Sequence, residues 1–332
     1  MVKKILVTGG AGYVGSVLAP KLLDAGHSVR VYDLMLFGSA GLPSHHNLEL
    51  VPGDLRDSAG IAAAVDGMDT VIHLACISND PSFELDPALS KSINYDCFEP
   101  LVVAAKSAGV SRFIYASTSS VYGVSDAPEV TEEHPLVPLT DYNKYKGLSE
   151  PLLLKHQSPG FTTVIIRPAT VCGYSPRMRF DLSVNILTNH AVNRREITVF
   201  GGSQQRPNIH IEDITDLYVQ LLDFPDDLIA GEIFNAGYQN HSIAEIAEIV
   251  RGVVEREVPG EPIGIVTTPS NDLRSYHVSS AKIAKKLGYV PHRSVEDAVT
   301  DICQAFKAGK LPNSLDDDQY INVKTVQKIG VK

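Results

Sequence analysis

Short apolar and β-branched runs alternate with longer amphipathic segments through the first half of this chain. The runs fall at 4–8, 28–32, 48–51, 70–74, 112–117 and 162–167, and the segments at 14–25, 58–65, 87–108 and 141–157 carry apolar positions at helical spacing. A helix between two strands brings the second strand back in parallel, so this rhythm predicts βαβ units and a parallel sheet with helices on both faces. After Arg167-Pro168 the rhythm loosens. Proline, arginine and glycine become frequent up to Pro207, and later helical stretches at 243–255, 280–287 and 295–308 are separated by irregular chain. The expected division is a doubly wound sheet over residues 1–170, a smaller α/β part over 171–312 that lends a strand or two back to the sheet, and a polar surface tail over 313–332.

Composition narrows the class. A hydrophobic fraction of 44% and a charged fraction of 20% over 332 residues suit a soluble α/β protein with a sizeable core. No apolar run approaches the ~20 residues that cross a bilayer. The opening MVKKILVTGG reads as a first strand and not as a signal segment, so a cytoplasmic protein without a membrane partner is expected. The net charge of −10 disfavours nucleic acid as a partner. Cys76, Cys97, Cys172 and Cys303 are widely spaced and form no Cys/His cluster, which argues against a metal site or a disulfide framework.

Ile5–Gly15 reads ILVTGGAGYVG, an apolar strand running through Gly9, Gly12 and Gly15 into a helical segment. Glycines there let the backbone approach a pyrophosphate, and the helix N-terminus supplies free N–H groups and a favourable dipole. The expected fold of the first half is therefore a Rossmann domain. The second strand ends at Val31-Tyr32-Asp33, where an acid accepts hydrogen bonds from an adenosine ribose diol and repels a 2′-phosphate. No Arg or Lys stands at 34–41, so NAD is the expected cofactor over NADP. Gly53-Asp54-Leu55 and His73-Leu74-Ala75 end the third and fourth strands on the same sheet edge. Asp54 could accept from the adenine amino group or cap the next helix.

Tyr142 and Lys146 form Y-x-x-x-K, which on a helix places both on one face. A lysine ammonium beside a phenol favours phenolate, so Tyr142 could act as a base near neutral pH. Tyr320/Lys324 repeats the spacing in the acidic tail, and Tyr145 has Ser149 at +4. Only Tyr142 opens a helix after the fifth strand. That strand ends in ASTSSVYG, whose hydroxyls could bond a reacting oxygen or simply shape a turn.

TGGAGYVG, the acid after the second strand, GDL, HLA, STSSVYG, YxxxK and RPATVCG occur here in order. In this the chain resembles the extended short-chain dehydrogenase/reductase family, in its nucleotide-sugar epimerase/dehydratase branch, over at least residues 1–300. The resemblance implies that Gly9, Gly12 and Gly15, with Tyr13 and Val14 between them, cradle the NAD pyrophosphate. It implies that Asp33 holds the ribose and Asp54 the adenine, with Leu55, Leu74 and Ala75 on the cofactor wall. Lys146 would bond the nicotinamide ribose and tune Tyr142, the general base. Thr118 falls at the family's catalytic Ser/Thr position, Asn94 at an asparagine that helps order the site, and Pro168 beside the nicotinamide. Ser119 and Ser120 stand where family dehydratases carry an acid, which disfavours elimination and leaves hydride removal at one carbon, C4 of the sugar.

A nucleoside diphosphate needs cations, and arginine's planar fork matches phosphate oxygens. Arg177 and Arg179 in SPRMRFD, Arg206 in QQRPNIH and Arg274 in NDLRSYH lie in irregular segments. The resemblance implies that Arg206 and Arg274 touch the diphosphate or nucleoside, and that Asn185 contacts the substrate. Arg179 and Ser119 complete the candidate substrate set. Three readings stay open: a 4-epimerase that keeps its NAD, a C4 dehydrogenase or keto-sugar reductase exchanging NAD(H), and a non-catalytic NAD-binding sensor or scaffold. Ala169 replaces an asparagine common in 4-epimerases, which lowers the first. The resemblance also implies a homodimer through the helices at 87–108 and 141–157; Leu101, Val102, Ala105, Leu148 and Leu152 could form its face or could equally pack on their own sheet.

Overall fold

The computed structural model describes residues 2–270 and 275–329. Six strands, β1 (Lys4–Thr8), β2 (Ser28–Asp33), β3 (Leu48–Pro52), β4 (Thr70–His73), β5 (Arg112–Ala116) and β6 (Thr162–Pro168), lie parallel in the order 3-2-1-4-5-6. Between them run α1 (Gly15–Asp24), α2 (Ser58–Val65), α3 (Asp80–Glu84), α4 (Pro87–Lys91), α5 (Phe98–Ser107) and α6 (Asp141–Leu154). This is the doubly wound Rossmann order, with its switch between β1 and β4.

Both faces of the sheet are covered, as the strand composition requires. In β1, Ile5 and Val7 pack in one apolar cluster with Leu18 and Leu22 of α1, while Leu6 between them joins the opposite cluster with Ile61, Leu101 and Phe113. All three are completely buried, so a one-residue slip of β1 would exchange the two cores.

The second half builds on this sheet. It comprises β7 (Thr170–Cys172), α7 (Ser183–Arg194), β8 (Glu196–Phe200), β9 (Gln205–His210), α8 (Ile211–Gln220), α9 (Asp226–Ile229) and β10 (Glu232–Ala236). Then follow β11 (Gln239–Ser242), α10 (Ile243–Glu257), β12 (Gly264–Thr268), α11 (Ala281–Leu287), α12 (Val295–Lys307) and α13 (Asn322–Ile329). Strand β10 pairs in parallel with β6 and becomes the seventh strand of the main sheet. Strands β11, β9 and β7 form a small mixed sheet, and β12 pairs with β8. Helices α7, α10 and α12 close a separate core around Ile197, Val199, Val250 and Val299. Among the described residues no helix is long and apolar enough to cross a membrane.

Three expectations need correction. The segment 87–108 is not one helix: a π-helical turn, Ser92–Asp96, separates α4 from α5. Within it the Asn94 amide both accepts from Ile77 N–H (2.8 Å) and donates to Ile77 C=O (2.9 Å), a long-range bond that fixes the helix to the loop after β4. The segment read as a surface tail is packed onto the fold over residues 313–329. Tyr320 packs with Tyr13, Met178 and Phe180, Phe180 N–H donates to Tyr320 C=O (2.8 Å), and Asn322 and Thr325 are buried. Finally, Leu101, Val102 and Ala105 face their own sheet and are fully buried, whereas Leu148 and Val103 on the same two helices are 41% and 44% exposed.

Candidate active site

The carboxyl ends of β1, β2, β4, β5 and β6 border a cleft. Gly9 must be glycine for reasons inside the protein: its φ is +74°, and a Cβ would lie 2.6 Å from the Ala75 backbone. Gly15 packs against Gly10 in the same way. Gly12 differs, because a Cβ there would meet only Gly9 O, at 3.2 Å. Among the described residues nothing fills that space, so the loop leaves a cradle at the N-terminus of α1, lined by Tyr13 and Val14. The Tyr13 side chain itself is buried, its hydroxyl donating to Gly173 C=O at 2.6 Å.

Asp33 ends β2 on the cleft wall. Its carboxylate accepts from Ala11 N–H (3.0 Å) and Met35 N–H (2.7 Å), which locks the glycine loop to the second strand. Burial pushes its pKa up, and the two backbone bonds oppose that shift. Leu55, Leu74 and Ala75 line the cleft beyond it. Asp54 does not join them; its carboxylate is held by the Arg56 guanidinium at 2.6 Å, while Asp57 caps α2.

At the far end α6 presents Tyr142 and Lys146, with Ser117 and Pro168 beside them. The α6 start is set by Thr140, whose hydroxyl accepts from Asn143 N–H, and that capping hydroxyl also donates to Asp80. Lys146 is buried; its ammonium donates to Ala116 C=O (2.5 Å) and lies 4.6 Å from the Tyr115 ring centre. Burial pulls the lysine pKa down, opposed by Cys76 and Glu150. Burial also pushes the Tyr142 phenol well above its ordinary range, with Cys76 and Asp80 adding to the shift and Arg179 opposing it. In the chain by itself this phenol is neutral at pH 7.

The remaining candidates divide. Arg179 lines the cleft near Tyr142, 8% exposed, its Nε on Asp181 (2.9 Å) and its Nη2 without a hydrogen-bond partner among the described residues. Thr118 caps the short turn Ser119–Tyr122, its hydroxyl pairing with Ser120 Oγ at 2.8 Å. Ser119 is buried, 3.4 Å from the Tyr276 hydroxyl. Asn185 is not on the cleft wall: its amide is consumed by Gly173 N–H, the Tyr13 hydroxyl and Arg179 C=O, so it positions Tyr13 and Arg179. Asn94 likewise acts on the loop after β4. Arg206 is half-buried on β9 and donates to Gln205 C=O. Arg274 lies outside the described residues.

The sequence reading missed Phe37, Ser78 and Asn322, all on the cleft wall. An apolar residue in a glycine-rich loop carried a weak signal for Phe37. Asn322 had none, because it lies in a segment read as a surface tail. It also missed Glu150, which forms a fully buried ion pair with Arg167 beneath the Tyr142 helix (2.6 Å).

Residues 5–237 match the NAD dependent epimerase/dehydratase family, and the chain belongs to that family of NAD-dependent enzymes. It is 28% identical to UDP-glucose 4-epimerase of Corynebacterium glutamicum, over 89% of this chain and 94% of that protein. A 3 beta-hydroxysteroid dehydrogenase/Delta 5→4-isomerase of Mycobacterium tuberculosis is 35% identical over 198 residues, 56% of this chain and 52% of that protein. Among solved structures, UDP-glucuronic acid 4-epimerase from Bacillus cereus, in complex with UDP-glucuronic acid and NAD, is 25% identical. It superposes with a TM-score of 0.80 over 92% of this chain and 99% of that one. The cofactor is NAD, and the open cradle at Gly12 and the Asp33 carboxylate on the cleft wall fit its pyrophosphate and its ribose diol.

Proposed function

We propose that this enzyme oxidises the C4 hydroxyl of a nucleotide-linked sugar, as a 4-epimerase or a 4-dehydrogenase. The observation that carries the reading is the cleft itself. A phenol and an ammonium one helical turn apart occupy one end, and the glycine cradle with Asp33 occupies the other. The names of the epimerases to which the chain is similar support the substrate class. Ser119 and Ser120, in place of an acid, favour simple hydride removal over elimination.

In this reading NAD, when bound, supplies the hydride acceptor. Tyr142 takes the C4 hydroxyl proton, and its raised pKa makes it a strong acceptor once a nearby positive charge drives the phenol to ionise. Lys146, anchored to Ala116 C=O, supplies such a charge and bonds the nicotinamide ribose. Thr118 orients the sugar hydroxyl by turning its own hydroxyl from Ser120. Arg179 takes the substrate's anionic group through its free Nη2, with Arg206 further along the same ligand. Two copies would pair with C2 symmetry through the outer faces of α5 and α6, where Val103 and Leu148 are exposed.

The test is single-turnover absorbance at the reduced-nicotinamide band on adding UDP-, GDP-, TDP- and CDP-sugars, with product analysis. Tyr142→Phe should retain binding of NAD and sugar nucleotide and lose about 10²–10⁴-fold in rate. Wild-type rate in Tyr142→Phe would remove the base assignment. Turnover of a 3β-hydroxysteroid in place of every sugar nucleotide would overturn the substrate class, and no turnover at all would leave the sensor reading standing.

A further inference from the structure

Arg177 is an anomaly in the cleft. It is 8% exposed, yet its Nε has no hydrogen-bond partner and no carboxylate stands within ion-pair distance of it among the described residues. Its Nη2 donates to a neutral group, Asn322 Oδ1, at 2.5 Å. Phe37 lies against the guanidinium, 3.5 Å from ring centre to carbon. Burial and the like charge of Arg179 drag its pKa down to about 9, with the more distant Asp181 and Asp33 charges only partly offsetting them. The other two cations on the wall each have an anchoring partner of their own, Lys146 in Ala116 C=O and Arg179 in the Asp181 carboxylate. A buried charge without a counter-charge is costly, and folds keep one where a ligand supplies the missing anion.

Its position says which anion. Arg177 N–H donates to Ser16 Oγ in the first turn of α1 (3.4 Å), and the side chain shares the cleft wall with Gly12 and Asp33. The guanidinium is therefore at the helix N-terminus and not at the Tyr142 end. We propose that Arg177 binds the pyrophosphate of the dinucleotide through its free Nε–H, and that Asn322 of α13 holds it in place. The bonds of Asn322 suit it to that role. Besides accepting from Arg177, its Nδ2 donates to Ser78 Oγ (2.7 Å) and its backbone N–H to Asp181 (3.1 Å). One residue of the last helix thus ties the arginine to the loop after β4 and to the Arg179–Asp181 pair. The glycine loop supplies N–H groups and a dipole, and Arg177 supplies the full positive charge that a doubly anionic pyrophosphate requires.

The proposal rests on the glycine loop being the dinucleotide site, and a ligand series separates the two. Adenosine, AMP, ADP, UDP, NAD and NADP would be titrated calorimetrically into wild type, Arg177→Gln and Asn322→Ala. Arg177→Gln should bind ADP and NAD about 10- to 100-fold more weakly while binding adenosine as wild type does. Asn322→Ala should show the same phosphate-dependent pattern at smaller size, which keeps the idea testable if the arginine variant misfolds. Without ligand the melting temperature of Arg177→Gln should equal or exceed that of wild type, because an uncompensated buried charge is gone. Equal losses for adenosine and ADP would mean a structural role and overturn the proposal, as would a loss confined to UDP or to NADP. Failure of wild type itself to bind ADP would instead sink the cofactor-site reading.

Discussion

Removing the Glu150 carboxylate should be among the most damaging single changes in this protein, and the structure gives the size of the effect. Glu150 is 2% and Arg167 3% exposed. The carboxylate accepts from Arg167 Nε (3.0 Å), Arg167 Nη2 (2.6 Å) and Ser117 Oγ (2.6 Å). Burial opposes the charge on Arg167, but hydrogen bonds and charge from Glu150 outweigh it and hold its pKa up. Glu150→Ala leaves that guanidinium in the core with, among the described residues, the Tyr122 hydroxyl (2.7 Å) and Glu132 C=O (3.3 Å) as partners. Breaking a buried pair on one side costs about 3–5 kcal/mol. Two charge-assisted bonds at about 1.5–3 kcal/mol each bracket the same range. Against a total stability of about 5–15 kcal/mol this is a fifth of the margin or more.

Urea unfolding of Glu150→Ala, Arg167→Met and a Glu150→Leu/Arg167→Met double variant measures it. The double variant should recover most of the loss, since two apolar side chains of similar volume replace a pair whose desolvation nearly cancels its attraction. A loss below about 1 kcal/mol for Glu150→Ala, or a double variant as unstable as the sum of the singles, would refute the reasoning. A second consequence is local to the site. Glu150 helps hold up the Lys146 pKa, so its removal should leave the ammonium easier to deprotonate even in the double variant.

Two further outcomes follow from buried groups and exposed faces. His73 is buried against Thr8 Oγ1 (2.7 Å), and burial, with Lys146 adding, lowers its pKa from 6.5 to about 3. The unfolded chain therefore takes up a proton below pH 6.5 that the native state refuses until about pH 3, so stability falls as pH drops through that window, by about 2 kcal/mol at pH 5. Urea midpoints at pH 5 and 7.5 should differ less in His73→Gln, and an unchanged difference would exclude His73 as a source. Light scattering at micromolar concentration should give twice the 35.9 kDa chain mass, Leu148→Asp should shift it toward one, and a wild-type monomer would remove the α5/α6 pairing.

The central strands of the main sheet were legible because their side chains are buried on both faces, which unbroken runs such as ILVT and TVIH suit. The glycine loop was legible for a related reason: its residues are dictated by backbone approach, which sequence records directly. What escaped depends on side-chain bonds between distant segments. The π turn at Ser92–Asp96 exists where Asn94 reaches the backbone of Ile77, and no periodicity encodes that. The last twenty residues carry Asp316-Asp317-Asp318, which suggests solvent, yet the neighbouring Tyr320 and Asn322 turn inward. Glu150 was within reach, since Tyr142, Lys146 and Glu150 continue one stripe of α6 at steps of four. Its partner Arg167 stands on a strand, and only the packed fold brings the two together.

Charge is where sequence and structure diverge most usefully. A net charge of −10 describes the exterior, and an exterior of that sign repels a long polyanion. The cleft has the opposite sign: Lys146, Arg177 and Arg179 line it, with Asp33 the one carboxylate on its wall among the described residues. Charges outside the cleft are screened over about 8 Å at physiological ionic strength, whereas those within it act through low-dielectric walls. The combination selects by size. A polymer must touch the acidic surface to enter, but a dinucleotide or a nucleoside diphosphate can place its few negative charges wholly inside. The three cations are also unequal along the cleft, with Arg177 at the glycine-loop end and Lys146 and Arg179 toward Tyr142. Two separated diphosphate-sized anions, a cofactor and a substrate meeting near Tyr142, suit that distribution better than one extended ligand does.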